Sequence, residues 1–368
     1  MTHFEKIFAS DKIPKEERVR RTLNYQPVDR VALHDQVSFN PGVIELYTGK
    51  KISDFNYTED DICTVIRKTL DMCFLPVTPR GKEKICNDGI VIQNDEWTSW
   101  IAERPFHDEK GAGEWLRKKL AKLKTEKFDA DAERNLFRNR IDGIKAKIGD
   151  TVLCYYHSFG FCHVWDVMGI DLFSFFNYDS PEVMEEFLEL NETRTLKWIE
   201  AVAGLKFSPV ILIAEDFATK QGPLFGPDIM DKYYYPHLKA LTGKWHSYGY
   251  KVLCHSDGNW KKVIPELIAS GIDGFYCLEP SCGMDIVELK AQYPEMVWAG
   301  GLDGVDLMER GTPAQVRTEV IRHISGTDVL QAGGMFLGSS SEINPPIKPE
   351  NFKAMIDTAG EYRNQDFI

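Results

Sequence analysis

The chain has 368 residues, 43% hydrophobic and 27% charged, which supplies apolar surface for a large core and shows no bias toward disorder or repeats. Its formal net charge of −12 repels a polyanion, so nonspecific nucleic-acid binding is excluded. No segment approaches the roughly 20 apolar residues that span a bilayer, and the opening MTHFEKIFASDKIPKEERVRR lacks the apolar run of a secretory signal, so a cytoplasmic protein with no membrane partner is expected.

In chain order, short apolar runs alternate with segments of helical periodicity. Residues 31–33 lead into His34 and Asp35. The stretch 89–101 then predicts two short antiparallel strands with Asn94 and Asp95 near the turn, and residues 110–147 are charged and helical. Residues 151–156 run into His157, and Ser180-Pro181-Glu182 predicts a helix start with proline in its first turn behind a serine cap. Residues 210–214 end on Glu215 and Asp216, and a long amphipathic stretch over 227–250 reaches Gly249. Residues 251–254 precede His255, 274–278 precede Glu279, and 296–299 precede Gly300, Gly301, Leu302 and Asp303. A last strand is expected within 328–337.

Strands buried on both faces read as unbroken apolar runs, with polar residues where they emerge. The expected architecture is therefore α/β, a (β/α)8 TIM barrel forming one domain over residues 1–368. A hairpin and helical excursion near residues 85–150 interrupts it, either to cover the barrel mouth or as a solvated insertion. The eight cysteines, several of them inside strand-like runs, suit reduced, buried thiols better than a disulfide framework.

In a barrel, the strand ends bring Glu215, Asp216, His255, Asp257, Glu279 and Asp303 to one mouth. Glu215, Asp216, His255 and Asp257 are the candidate catalytic groups. Two carboxylates ending an apolar strand need a cation, a proton or a substrate to meet them. His255 and Asp257 are two residues apart and share a strand face, the spacing of two ligands or an acid/base pair, whereas Cys254 faces the other way. Their structural alternatives are a histidine satisfied by a neighbouring carboxylate and a tight Asp257-Gly258 turn. Donor types near His255, including Cys277, Glu279 and Cys282, suit zinc, although no Cys-x-x-Cys or His-Glu-x-x-His spacing is present. The aromatic segment 155–165, with His157, Phe159 and Trp165, reads as either core or the wall of a pocket for a flat ligand. Gly-x-Gly-x-x-Gly, phosphate-loop and Gly-x-Ser-x-Gly motifs are absent.

Several segments together resemble the uroporphyrinogen decarboxylase superfamily: Ala214-Glu215-Asp216 through Gln221-Gly222-Pro223-Leu224, Cys254-His255-Ser256-Asp257-Gly258, Leu278-Glu279-Pro280, Trp298-Ala299-Gly300-Gly301-Leu302-Asp303, and Pro349-Glu350-Asn351. The stretch from Glu17-Arg18 to Asp29-Arg30 resembles the start of that family. The superfamily holds decarboxylases and cobalamin-dependent methyltransferases on one barrel. The arginine-rich segment that receives a porphyrinogen's carboxylates is replaced by residues 34–42, His-Asp-Gln-Val-Ser-Phe-Asn-Pro-Gly, so the chain is more similar to the methyltransferase branch. In thiol-methylating members of that branch, zinc is held by His-x-Cys and a late cysteine. His255 matches the histidine, but Asp257 takes the second position and residues 338–342 hold no cysteine.

What the resemblance implies is a harder site, drawn from His255, Asp257, Glu215, Glu279 and Cys282. It would assist methyl transfer from a methoxylated, optionally aromatic, small molecule to a corrinoid carried by a partner protein, with His157, Phe159, Trp165 and Asp303 binding substrate. The alternatives are a decarboxylase of a small organic acid and a noncatalytic binding protein. A homodimer is compatible with the family.

Overall fold

A computed structural model describes residues 7–367. Its strands are β1 Ala32–Asp35, β2 Met72–Cys73, β3 Val152–Leu153 resuming as Tyr155–His157, β4 Val210–Ala214, β5 Lys251–His255, β6 Gly274–Tyr276, β7 Val297–Leu302 and β8 Met335–Ser339. All neighbouring pairs are parallel. The first half of β3 pairs with β2 and the second half with β4, and the intervening Cys154 amide donates to the Cys73 carbonyl at 2.8 Å. The two halves are thus one interrupted strand that closes an eight-stranded barrel, as expected.

Alternation along each strand builds two cores. Ala32, Met72, Val152, Cys154, Val210, Leu212, Leu253, Val297, Ala299 and Phe336 fill the barrel. Their neighbours Leu33, Cys73, Leu153, Ile211, Ile213, Phe275, Trp298 and Leu337 face the helices. Cys254 also faces outward, with the Tyr234 hydroxyl 3.7 Å from its sulfur. The helical layer starts as its sequence requires: Pro181–Val202 carries proline in its first turn, and Pro313–Thr327 is opened by a Thr312/Gln315 capping box.

Below the barrel, helix Lys15–Leu23 plugs the N-terminal end with Val19 and Leu23 and delivers Arg18 to a buried charge network. Arg18 donates to Asp29 at 2.7 Å and to Asp71 at 2.6 Å. Arg30 donates twice to Asp71, at 2.6 and 2.9 Å, and the Leu33 amide adds a fourth bond to that carboxylate at 2.8 Å.

Four details differ from the sequence reading. The excursion sheet has three antiparallel strands, Lys84–Asn87, Ile90–Asp95 and Thr98–Glu103. Its first turn is Asp88-Gly89, with both φ angles positive, a hairpin signal; Lys84–Asn87 is exposed along its whole length and so carries no apolar period. The charged stretch is two helices, Glu109–Thr125 and Ala130–Ile148, the second capped by Asp129. The 227–250 stretch breaks at Tyr234 into Pro227–Tyr233 and Tyr235–Ser247. The last strand begins only at Met335, because Val329–Ala332 is helical and Gly333 and Gly334 turn the chain with positive φ. The excursion flanks the mouth: Arg104 on its last side bonds the Val167 and Asp166 carbonyls of helix Phe161–Met168. Among the described residues no helix is long and apolar enough to cross a membrane.

Candidate functional site

The C-terminal strand ends open on a cavity of about 260 Å³. Phe39, Phe74, Tyr156 and Tyr276 form an aromatic wall around it, with Gln36, Arg80, His255 and Glu342 as its polar groups. The wall holds itself by edge-to-face contacts, Phe74 lying 5.7 Å from Tyr156 and 5.1 Å from Tyr276 between ring centroids. Beneath it His34 lies 4.6 Å from Phe74 and donates through Nδ1–H to the Met72 carbonyl at 3.1 Å. Burial pushes His34 down to about 4, so its ring is neutral. Asp35 accepts from the Gln36 and Ser339 amides, tying β1 to β8, and burial pushes its carboxyl up to about 8.

The acidic pair after β4 divides its work. Leu212 and Ala214 face the cavity, so the next side chain, Glu215, turns outward. It is buried, and its two oxygens accept from the amides of Phe159, Gly160 and Cys162 at 2.6, 2.9 and 2.7 Å. These amides open helix Phe161–Met168, where a carboxylate is favourably placed. Burial pushes Glu215 up, against the pull of those bonds. Glu215, expected as a metal ligand, thus has three backbone donors on its oxygens and anchors the 158–162 loop. Asp216 turns to the mouth, where Oδ1 accepts from the Asp257 amide at 3.1 Å and lies 3.5 Å from His255 Nε2. Burial raises its pKa, but the His255 contact outweighs it and the net direction is down.

His255 and Asp257 share one face, as their spacing requires, with Nε2 3.9 Å from Oδ1. Burial lowers the His255 pKa, but Asp216 and Asp257 more than reverse it. The turn reading of Asp257-Gly258 also holds. Gly258 has φ +83, and a Cβ there would lie 2.6 Å from the Thr219 carbonyl, so glycine is what lets this turn pack closely. Cys277 completes the group: its sulfur is 3.3 Å from Asp257 Oδ1, and the donor atoms of His255, Asp257 and Cys277 all lie within 4.8 Å of one another. Cys277 takes φ +62, a left-handed conformation that costs a β-carbon-bearing residue roughly 1–3 kcal/mol. Burial, then Asp257, raises its pKa well above the ordinary value.

Glu279 and Cys282, also expected as ligands, stand outside this group. Glu279 Oε2 accepts from the Gly258 amide at 2.6 Å and from the Cys282 thiol at 3.5 Å, so the pair supports the turn. The expected substrate residues are displaced as well. His157 accepts from Trp245 Nε1 at 2.9 Å in the helical layer, Phe159 is buried against Tyr234 and His237, and Trp165 packs near Phe225. Strand alternation sends Tyr156, one residue earlier, into the mouth instead, a signal the sequence contained. Asp303 accepts from the amides of Val305 and Asp306 at 3.0 and 2.6 Å and lines an outer depression of about 610 Å³. That depression, and another of about 490 Å³ under the excursion, include none of the three clustered donors, so volume alone would misplace the site.

Among solved structures, the fold is similar to a methyltransferase from Methanosarcina mazei, at 16% sequence identity and a TM-score of 0.65, covering 95% of this chain and 99% of that one. At that identity the likeness is one of fold. No curated protein matches the chain. The Uroporphyrinogen decarboxylase (URO-D) family profile matches residues 166–362, more than half of the chain, which takes in β4 to β8 and with them His255, Asp257 and Cys277. The chain belongs to the uroporphyrinogen decarboxylase family.

Proposed function

We propose that this protein is a methyltransferase that removes the methyl group of a small methoxylated, single-ring compound and passes it to a corrinoid on a partner protein, with zinc at the barrel mouth. The observation that carries the reading is the meeting of an imidazole, a carboxylate and a thiol at the rim of an aromatic-walled cavity. The 3.3 Å separation falls within the roughly 3.3–3.8 Å between ligands of a tetrahedral zinc ion, and the 3.9 Å separation lies just beyond it. His255 and Asp257 would hold the cation, which supplies Lewis acidity to the departing oxygen while the corrinoid supplies the nucleophile for the methyl carbon.

The chain's own residues bind and orient. Phe39, Phe74, Tyr156 and Tyr276 receive a flat ring and exclude water around it. Asp216 fixes the Asp257 backbone and faces His255, so it positions both. The M. mazei methyltransferase lends support at the level of fold.

A second reading rests on Arg80, a guanidinium at the cavity with no carboxylate partner among the described residues. It suits a small acid and a decarboxylation. Among the described residues the cavity lining holds no further arginine for a polycarboxylate. Both readings are tested by incubating purified protein with methoxybenzoates, reduced corrinoid protein and, separately, corrinoid omitted. Phenol formation that needs the corrinoid and drops at least about 100-fold in His255→Ala is expected. Carbon dioxide release without corrinoid would favour the decarboxylase, and tight binding with neither product would favour a binding protein.

A further inference from the structure

The alternation that organises every other strand end fails at one position. Tyr276 closes β6 facing the barrel, so Cys277 should point outward into the helical layer as Phe275 does. Instead Cys277 packs with the interior group that contains Tyr276. The left-handed backbone at residue 277 produces this reversal, and no glycine relieves it. Residues 276 and 277 consequently both turn inward: the ring of Tyr276 walls the cavity, and the buried sulfur of Cys277 meets Asp257 and donates to the Ser340 carbonyl. Strained backbone of this kind concentrates where a side chain must be delivered to a particular point.

We propose that Cys277 is the thiolate ligand of the cation at the mouth, completing a set of one imidazole, one carboxylate and one thiolate with His255 and Asp257. The inference rests on the reading of that mouth as a metal site. As the sulfur–metal bond forms, the thiol proton passes to solvent. The other two nearby cysteines are committed elsewhere, Cys254 outward beside the Tyr234 hydroxyl and Cys282 against Glu279. A set containing one soft sulfur selects zinc over magnesium or manganese, which oxygen-rich sites take. A single thiolate also leaves the ion harder than a thiolate-rich site, and so better matched to an ether oxygen than to a thiol.

The test uses the full-length chain loaded with cobalt(II) or zinc. Cobalt(II) bound to the wild type should show a near-ultraviolet thiolate-to-cobalt charge-transfer band at about one equivalent. Cys277→Ser should lose the band and bind metal at least about 100-fold more weakly, a larger loss than removal of an outer partner brings. Cys282→Ser and Cys254→Ser should keep it. If Cys277→Ser does not fold, zinc-edge absorption of the wild type decides, with one sulfur scatterer at about 2.3 Å expected. Stoichiometric metal without a sulfur scatterer, or a band that survives Cys277→Ser, would overturn the Cys277 assignment and leave the metal site standing. A wild type that retains no metal would overturn both.

Discussion

At the N-terminal end of the barrel, two arginines and two aspartates are removed from water and every charge has a partner. Arg18 and Asp71 have fully buried side chains, and both Asp71 oxygens are engaged. At the C-terminal end Asp216 and Asp257 meet no guanidinium or ammonium among the described residues, where their one cationic neighbour is His255. The same barrel therefore satisfies its charges internally at one end and leaves them half-exposed around His255 at the other. Buried pairs of the first kind hold the strands in place, at the risk that losing one member strands the other. Half-exposed acids of the second kind are stable in water and are available to a ligand.

The largest expected effect breaks the paired end. Asp71→Ala leaves two guanidinium groups without their shared carboxylate, and a loss of about 3–5 kcal/mol is expected in urea unfolding, with metal binding per folded molecule unchanged. Glu215→Ala orphans three amides and should lower stability by about 2–3 kcal/mol. It should also loosen the 158–162 loop, read as faster amide exchange there; a loss of metal with no change in exchange would restore Glu215 as a ligand.

Acid should act on the paired end. Burial disfavours the charged Asp71 and Asp29, but their arginine partners prevail and both pKa values lie below the ordinary aspartate value. The folded state then binds fewer protons than the unfolded one through that range. The contribution is complete above about pH 4, the unfolded aspartate value, and declines as pH falls toward the folded values. Unfolding midpoints followed from pH 6 to 3 should fall in the wild type and less steeply in Asp71→Asn. The smallest effect is Asp303→Ala, which removes a helix cap and should cost about 1 kcal/mol with KM unchanged. A raised KM would return Asp303 to the substrate site.

The barrel was legible because parallel strands covered on both sides must be apolar throughout, and because the polar residue after each run marks where the strand surfaces. The meeting of Asp216, His255 and Asp257 followed from the same rule. The partners of Glu215 were not legible, because they are amides 53 to 56 residues earlier in the chain, and backbone donors leave no trace in residue identity. Tyr156 was missed for its neighbour His157 although period-two alternation distinguishes them. Cys277 was beyond that rule, since alternation places it outside and only a left-handed backbone brings it in. Strand Lys84–Asn87, exposed throughout, offered no pattern to read.

Calorimetric titration of the metal-free chain with zinc tests the contrast between the two ends most directly. One site is predicted in the wild type and in folded Asp71→Asn, and none in His255→Ala. Absence of zinc binding by the wild type, or a site that persists in His255→Ala, would contradict the account.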